Sequence, residues 1–322
     1  MEKSRATYQI GDDVYEVVKP KRLRDGQVLK SGDKYARLGP KSFVLEEQIH
    51  TTNLFERGFP APKVIESGPY GEDEWYFIEQ SLGDQTFHDM FKTETQENGK
   101  VSDSTFQDYL SVMSKYLDAQ VSAKNHSNIK PAEFINALLF EDVLPNYCYF
   151  GFDAEPYQAA INKVTKRLDG VPTGIMQYDL NPYNVLKGGI IDFELVGYGP
   201  IAYDVLMSVR WGGSWFTQYP SRYPVAYSLS KEQISENDNL VSSKTTLAGL
   251  LNPVDFLEEF LVLKSAWAVM EHDVPRQDMP QDKIAFRRFR ATLLDRSVNQ
   301  YLSGEPIDYW NFASLPGREI DH

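Results

Sequence analysis

The chain has 322 residues, 42% of them apolar and 13% aromatic, enough to bury a substantial core in two domains or in two lobes that share a cleft. Lys and Arg total 33 against 46 Asp and Glu, a net charge of -13, and that field opposes nucleic-acid backbones and anionic lipid surfaces, so neither nucleic acid nor membrane is expected as a partner. A single cysteine, Cys148, cannot form an internal disulfide, the start MEKSRATYQIGDD is polar, and no apolar run nears the ~20 residues of a membrane helix; a cytoplasmic location is the expectation.

Taken in chain order, DVYEVV and QVLK read as strands, with Asp25-Gly26, Gly32-Asp33 and Gly39-Pro40 as turns between the strands of a small antiparallel sheet. From Ser42 the pattern is helical, with Leu45, Ile49 and Leu54 near helical spacing and Gly58, Pro60 and Pro62 ending it. APKVIESG and EWYFIEQSLG are two further strands, closed by Gly83. Beyond them STFQDYLSVMSKYLDAQVSA, PAEFINALLFEDVL and AEPYQAAINKVTKRLDG are helices, so a sheet-rich first lobe precedes a helix-rich second one. Polarity makes KTETQENGKVSDS, from Lys92 to Ser104, a mobile surface loop by expectation. The chain has no repeat period.

The densest chemistry lies in GIMQYDLNPYNVLKGGIIDFELVGYGPIAYDV, from Gly174 to Val205. GIMQYDL is an apolar approach to a turn, and NVLKGGIIDFE is a hairpin with Gly188-Gly189 at its tip, which folds Asp179, Asn184 and Asp192 onto one small volume. An ionised Asp with an Asn carbonyl suits magnesium, which fills its other positions with water and substrate phosphates. Asp179 is then left to act as a base. Phosphoryl transfer asks little else of a protein than a positioned hydroxyl, a proton acceptor and metal on the phosphate oxygens. An isolated Asp-x-x-x-x-Asn is common in turns, where both side chains cap backbone; it is the ordered set with IIDFE and AYD that points to chemistry.

QYDLNPYNVL, IIDFE and GPIAYDV together resemble the catalytic core of the aminoglycoside phosphotransferase and choline kinase group, small-molecule kinases that share the protein-kinase-like fold. The resemblance implies an α+β, bilobal protein-kinase-like fold, with an N-lobe over residues 1–82 and a C-lobe over 83–322. It implies Asp179 as the catalytic Asp, Asn184 and Asp192 as magnesium ligands, and Asp204 as an acid that braces the catalytic loop. Gln177 stands where His is usual and Tyr178 where Gly is usual. In the first lobe LEEQIHTTNLFERGFPAPKVIESG resembles the helix whose Glu pairs with a phosphate-holding basic residue: Glu47, with Arg37 on KYARLG as its partner and Lys34 as the alternative. Glu79 to Leu82, including Ser81, would be the linker whose backbone meets the adenine edge. ATP and magnesium, and a hydroxyl acceptor such as a sugar, an aminoglycoside or an amino alcohol, follow from the likeness. A catalytically weak nucleotide-binding protein on the same fold is the alternative that Gln177 and Tyr178 leave open, whereas a protein kinase lacks both its G-x-G-x-x-G loop and its A-P-E segment.

The remaining features have plainer readings. KPKRLRDG, from Lys19 to Gly26, is the wet tip of a hairpin more readily than a phosphate contact. His50, His88, His126, His272 and His322 have no zinc-ligand spacing, and Cys148 reads as a packing residue. RWGGSWFTQYPSRYP, from Arg210 to Pro224, offers aromatics for a substrate wall or for a packed loop. The stripe Phe256, Phe260, Leu263, Trp267 and Met270 reads as core.

Overall fold

The computed structural model describes residues 6–19, 26–139, 143–210, 227, 229–270 and 279–308. Strands β1 (Thr7–Ile10), β2 (Asp13–Lys19), β3 (Gln27–Ser31), β4 (Lys34–Pro40), β5 (Val64–Tyr70) and β6 (Glu74–Gln80) form an antiparallel sheet in the order β1-β2-β3-β4-β6-β5. Gly32, at φ +57, supplies the left-handed residue that the two-residue turn between β3 and β4 requires. Gly39-Pro40 is not the turn that its composition suggests. Both residues extend β4, Pro40 caps helix α1 (Lys41–Glu56), and Gly39 is there because a Cβ would lie 2.6 Å from the Gly26 Cα of the neighbouring chain segment.

Alternation divides the sheet into two faces. Ile10, Tyr15, Leu29, Ala36, Leu38 and Ile78 bury one of them, whereas Arg37 lies opposite Phe77, and Tyr35 opposite Glu79, on the other. The buried residues of α1 are Val44, Thr51 and Leu54, and Ile49 is 48% exposed, which corrects the expected stripe. The inward face of α1 runs through Glu47 rather than through Ile49, because a basic residue of the sheet waits there.

The second part is mainly helical: α2 (Phe87–Asn98), α3 (Asp103–Gln120), α4 (Pro131–Leu139), α5 (Val143–Tyr149) and α6 (Ala154–Arg167) come first. Short strands β7 (His126–Ser127), β8 (Thr173–Gln177) and β11 (Val196–Pro200) pair in the order β11-β8-β7, and β9 (Val185–Leu186) with β10 (Gly189–Ile190) makes a hairpin. Helices α7 (Tyr203–Arg210), α8 (Lys231–Leu247), α9 (Leu257–Met270) and α10 (Gln281–Ser303) complete the described chain. One large core runs through this part, with Phe87, Phe91, Met113, Leu117, Val205, Phe260 and Leu294 inside it, and it also takes in Leu54, Phe59 and Ala61 from the first part. Phe256, Phe260, Leu263 and Trp267 are buried, as the stripe implied. Cys148 is exposed, because α5 turns Val143, Asn146 and Tyr147 inward and the next residue faces away.

The segment from Lys92 to Ser104 is ordered rather than a loop. Thr86 caps α2, Gly99 ends it at φ +75, and Ser102 caps α3. Glu94 ties the two helices together by accepting from the Ser102 amide at 2.8 Å, its hydroxyl at 3.1 Å and the Thr105 hydroxyl at 2.5 Å. Polarity here serves capping, which window composition does not distinguish from disorder. Glu94→Ala removes an acceptor from three donors and is expected to lower unfolding stability by ~1–3 kcal/mol in urea melts; a change within about 0.5 kcal/mol is what a surface loop would give.

Candidate active site

Every residue of β8 is buried, which makes it a rigid post for the loop that follows. The loop turns at Asn181, whose side-chain oxygen accepts from the Tyr183 amide at 2.9 Å and so starts a 3-10 turn over Pro182–Asn184. The Asn181 amide nitrogen points back, donating to the Asp179 carbonyl at 2.9 Å and to its carboxylate Oδ1 at 3.0 Å. Asn184 donates its amide nitrogen to the same Asp179 carbonyl at 3.0 Å, and its own carbonyl accepts from the Ile191 amide at 2.9 Å. The hairpin β9–β10 therefore returns the chain directly to Asp192. Its two-residue turn is Lys187-Gly188, one place earlier than the expected Gly188-Gly189 tip. Asn181 was not singled out from sequence, although Asn before Pro is a turn signal that could have drawn attention to it.

A buried carboxylate anchors this loop from behind. Asp204, on α7, accepts from the hydroxyl of Tyr116, from Gln120 Nε2 at 3.2 Å, from the Gln177 amide at 3.2 Å and from the Val205 amide at 2.9 Å. Burial pushes its carboxyl up to about 6 in spite of these donors. Gln177, the departure from the usual His, sends Nε2 to the backbone carbonyls of Ile191 at 3.1 Å and Asp192 at 2.5 Å, and so joins the Asp179 loop to the Asp192 segment. Asp192 sits at φ +67, a conformation that a non-glycine residue holds only under constraint, and the Gln177 bond supplies one. Tyr178, the second departure, donates its hydroxyl to the Tyr198 carbonyl at 3.2 Å and lies over Gly197, where a Cβ would come within 2.3 Å of that hydroxyl oxygen.

From the first part, Arg37 reaches across the gap. Its Nη2 is 3.3 Å from Glu47 Oε1 and 3.9 Å from Asp192 Oδ1, with Arg37 itself 8% exposed. His50, one turn beyond Glu47, donates Nδ1 to the Phe193 carbonyl at 3.1 Å, a second tie between α1 and the segment after Asp192. Lys34, the alternative partner for Glu47, pairs with Asp13 at 2.8 Å instead. Glu79 is buried beside Arg37; burial pushes its carboxyl up to about 7, helped by the charges of Glu47 and Asp192 and opposed by Arg37. Ser81 donates its amide to the Asp33 carbonyl at 3.0 Å and accepts the Gly83 amide on its hydroxyl at 3.1 Å, so the linker is bound at both ends of this residue. The structure thus gathers Arg37, Glu47, Glu79 and Asp192 into one electrostatic unit, joins Asp179 to Asn184, and sets Lys34 apart from both.

The donor set can be tested against a metal. Asn184 commits its nitrogen to the Asp179 carbonyl, which turns its oxygen the other way, and a carboxylate with one amide oxygen is the sparse, hard set that magnesium accepts when phosphates complete its shell. The residues fit. Among the described residues no group of three or more His, Cys, Asp or Glu is arranged for a metal. The aromatic run from Trp211 to Pro224, most of the basic run before Gly26, and His272 and His322 lie outside the described residues.

Residues 106–234 match the model of the phosphotransferase enzyme family. Over that span the chain is similar to that family. The match bears out the resemblance carried by Asp179, Asn184, Asp192 and Asp204, all of which it contains. Among solved structures, a thermostable mutant of aminoglycoside phosphotransferase APH(4)-Ia in ternary complex with AMP-PNP and hygromycin B is 14% identical, with 88% of this chain and 94% of that one covered at a TM-score of 0.51. A crystal structure of aminoglycoside phosphotransferase APH(4)-Ia is likewise 14% identical at a TM-score of 0.51, with 88% of this chain and 93% of that one covered. At this identity the likeness establishes the fold, an α+β, kinase-like arrangement of an antiparallel sheet lobe and a helical lobe. No curated protein matches the chain in sequence. No helix among the described residues is long and apolar enough to cross a membrane.

The raised carboxyls set a pH dependence. A carboxyl whose value rises on folding adds stability that is complete below its unfolded value and is lost as pH rises through the folded value. Glu79, which goes from 4.5 to about 7, therefore costs stability progressively across that window, and Asp204 adds to the same slope. Glu79→Gln is expected to match the wild type at pH 5 and to be ~1–3 kcal/mol more stable at pH 8 in urea melts; equal stability at pH 8 would mean that Glu79 ionises there without penalty.

Proposed function

We propose that this chain is a small-molecule kinase: it transfers the γ-phosphoryl group of ATP to a hydroxyl of a small acceptor, with magnesium held by Asn184 and Asp192. The observation that carries this reading is the joining of Asp179 and Asn184 in one loop with Asp192 brought back beside Arg37 and Glu47. The family match over residues 106–234 and the fold shared with an aminoglycoside phosphotransferase that binds AMP-PNP support it. The N-lobe is taken as residues 1–82 and the C-lobe as 83–322, with the nucleotide between them.

Each residue then has a task. Asp179 faces the acceptor hydroxyl and receives its proton as the oxygen–phosphorus bond forms and the bond to the departing ADP oxygen breaks. Asn181 fixes the Asp179 carboxylate through the 3.0 Å bond to Oδ1, so the base enters the reaction already oriented. Arg37, kept in place by Glu47, holds nucleotide phosphate oxygens, and Glu79 keeps its side chain against Arg37 from the linker side. Magnesium, when bound, neutralises charge on the phosphate oxygens. The adenine edge meets linker backbone other than the Gln80 and Ser81 amides, which already donate to Lys63 and Asp33. Gln177 and Tyr178, the substitutions that favoured a catalytically weak binding protein, are both built into the loop by hydrogen bonds, which supports the enzyme.

The acceptor is a small hydroxyl compound, and the net charge of -13 favours encounter with cationic ones. Sugars, amino alcohols and aminoglycosides are therefore the panel to assay for ATP consumption. With the best substrate, Asp179→Asn is expected to keep nucleotide affinity and to lose ~10²-fold or more in kcat. Full turnover by that variant would remove Asp179 from the mechanism.

A further inference from the structure

The hairpin between Asn184 and Asp192 does more than reverse the chain. At its tip the Gly188 amide donates to the Leu82 carbonyl at 2.9 Å, and on its return strand the Ile190 amide donates to the Pro60 carbonyl at 2.7 Å. Leu82 belongs to the linker between lobes, and Pro60 to the connection between α1 and β5. A Cβ on Gly188 would lie 2.6 Å from the Leu82 oxygen and 2.9 Å from its Cα; one on Gly189, which is at φ +156, would lie 2.1 Å from the Pro60 oxygen. All of these neighbours are backbone atoms, so no side-chain rotation relieves the overlap, and only glycine admits the approach. Leu186, on the other strand, is bridged to Thr86, just past the linker.

The two ends of this hairpin are the two proposed metal ligands. Asn184 immediately precedes β9 and accepts the Ile191 amide on its carbonyl, and Asp192 follows directly. A hairpin that leaves one ligand and returns to the other is thus pinned, at its far end, to the linker between lobes at Leu82 and to the α1–β5 connection of the first lobe at Pro60.

We propose that Gly188 and Gly189 are positioning residues: they clamp the hairpin tip between Pro60 and Leu82 and thereby set the spacing of Asn184 and Asp192 for the metal-bound nucleotide. The inference rests on the phosphotransferase reading above. It makes a shift of the linker felt at the metal, although neither glycine touches the nucleotide.

The test is AMP-PNP affinity by calorimetry, with magnesium and with EDTA. Wild type is expected to bind more tightly with magnesium, and Gly188→Ala to lose ~10-fold or more of that gain while its affinity in EDTA stays within about twofold, as for the loss of support behind a metal ligand. Lys187→Ala, at the same turn but with its side chain on Asp108 at the surface, is expected to change neither value. Loss of general folding would weaken both conditions together, and that pattern is not what positioning gives. A wild type with no magnesium gain sinks the kinase reading itself; a wild type with the gain and a Gly188→Ala variant that keeps all of it overturns the clamp alone. Should the variant not fold, hydrogen exchange on the wild type decides: the Gly188 and Ile190 amides exchange more slowly with magnesium and AMP-PNP than with AMP-PNP and EDTA if the clamp is coupled to the metal, and at equal rates if it is not.

Discussion

A single buried carboxylate holds the proposed catalytic loop in place. Asp204 is buried under the loop, and its folding cost is met by donors from three separate elements: Tyr116 and Gln120 on α3, the Gln177 amide at the end of β8, and the start of α7. The same glutamines control the two non-glycine residues with positive φ among those described. Gln120 accepts the amide of Ala202, which is at φ +67, and Gln177 donates to the carbonyl of Asp192, also at φ +67. Each such conformation costs ~1–3 kcal/mol, so both persist because the network around Asp204 over-determines them. The consequence is that the Asp179 loop and the Asp192 segment, the proposed metal-ligand segment, are tied to one another.

The opposite side of the site is governed by charge. Arg37 faces Glu47, Glu79, Asp192 and Glu194, and this surplus of acids holds its guanidinium protonated. One buried arginine among four carboxylates makes a field that attracts cations and repels a bare phosphate chain, so a nucleotide bound as proposed would enter more easily with its metal than without it. Glu79 lowers that repulsion, because burial keeps it protonated further up the pH scale than an exposed carboxylate. The His50 bond to the Phe193 carbonyl and the Arg37 approach to Asp192 make α1 a lever on the same segment that Gln177 holds from behind.

Much of this was legible before any coordinates, and the failures have physical reasons. That Asp179, Asn184 and Asp192 belong to one site proposal was legible because the proposed chemistry asks for those groups in that order, and β6, α3 and α6 could be read because patterned segments carry their own signal. The inward face of α1 was misread because it spends a position on Glu47, a polar residue that pattern counting assigns to solvent. The helix over Lys92 to Asn98 was missed because its stability comes from caps and from Glu94, neither of which raises local hydrophobicity. Gln177 looked like a defect in the motif, yet an amide donates to the Asp192 carbonyl as an imidazole could, and only geometry reveals the equivalence. Arg37 and Lys34 could not be separated by sequence because they lie three residues apart on one strand; odd spacing sends them to opposite faces, and the pairing of Lys34 with Asp13 settles which faces the cleft.

The account turns on where a nucleotide and its metal sit. A crystal structure with AMP-PNP and manganese, solved with the anomalous signal of the metal, addresses it directly. The expected result is a metal ligated by Asn184 Oδ1 and the Asp192 carboxylate, with Arg37 on phosphate oxygens and the Asp179 carboxylate facing the γ-phosphate. A nucleotide bound away from the cleft, or a metal held by other residues while Asn184 and Asp192 stay unligated, would contradict it.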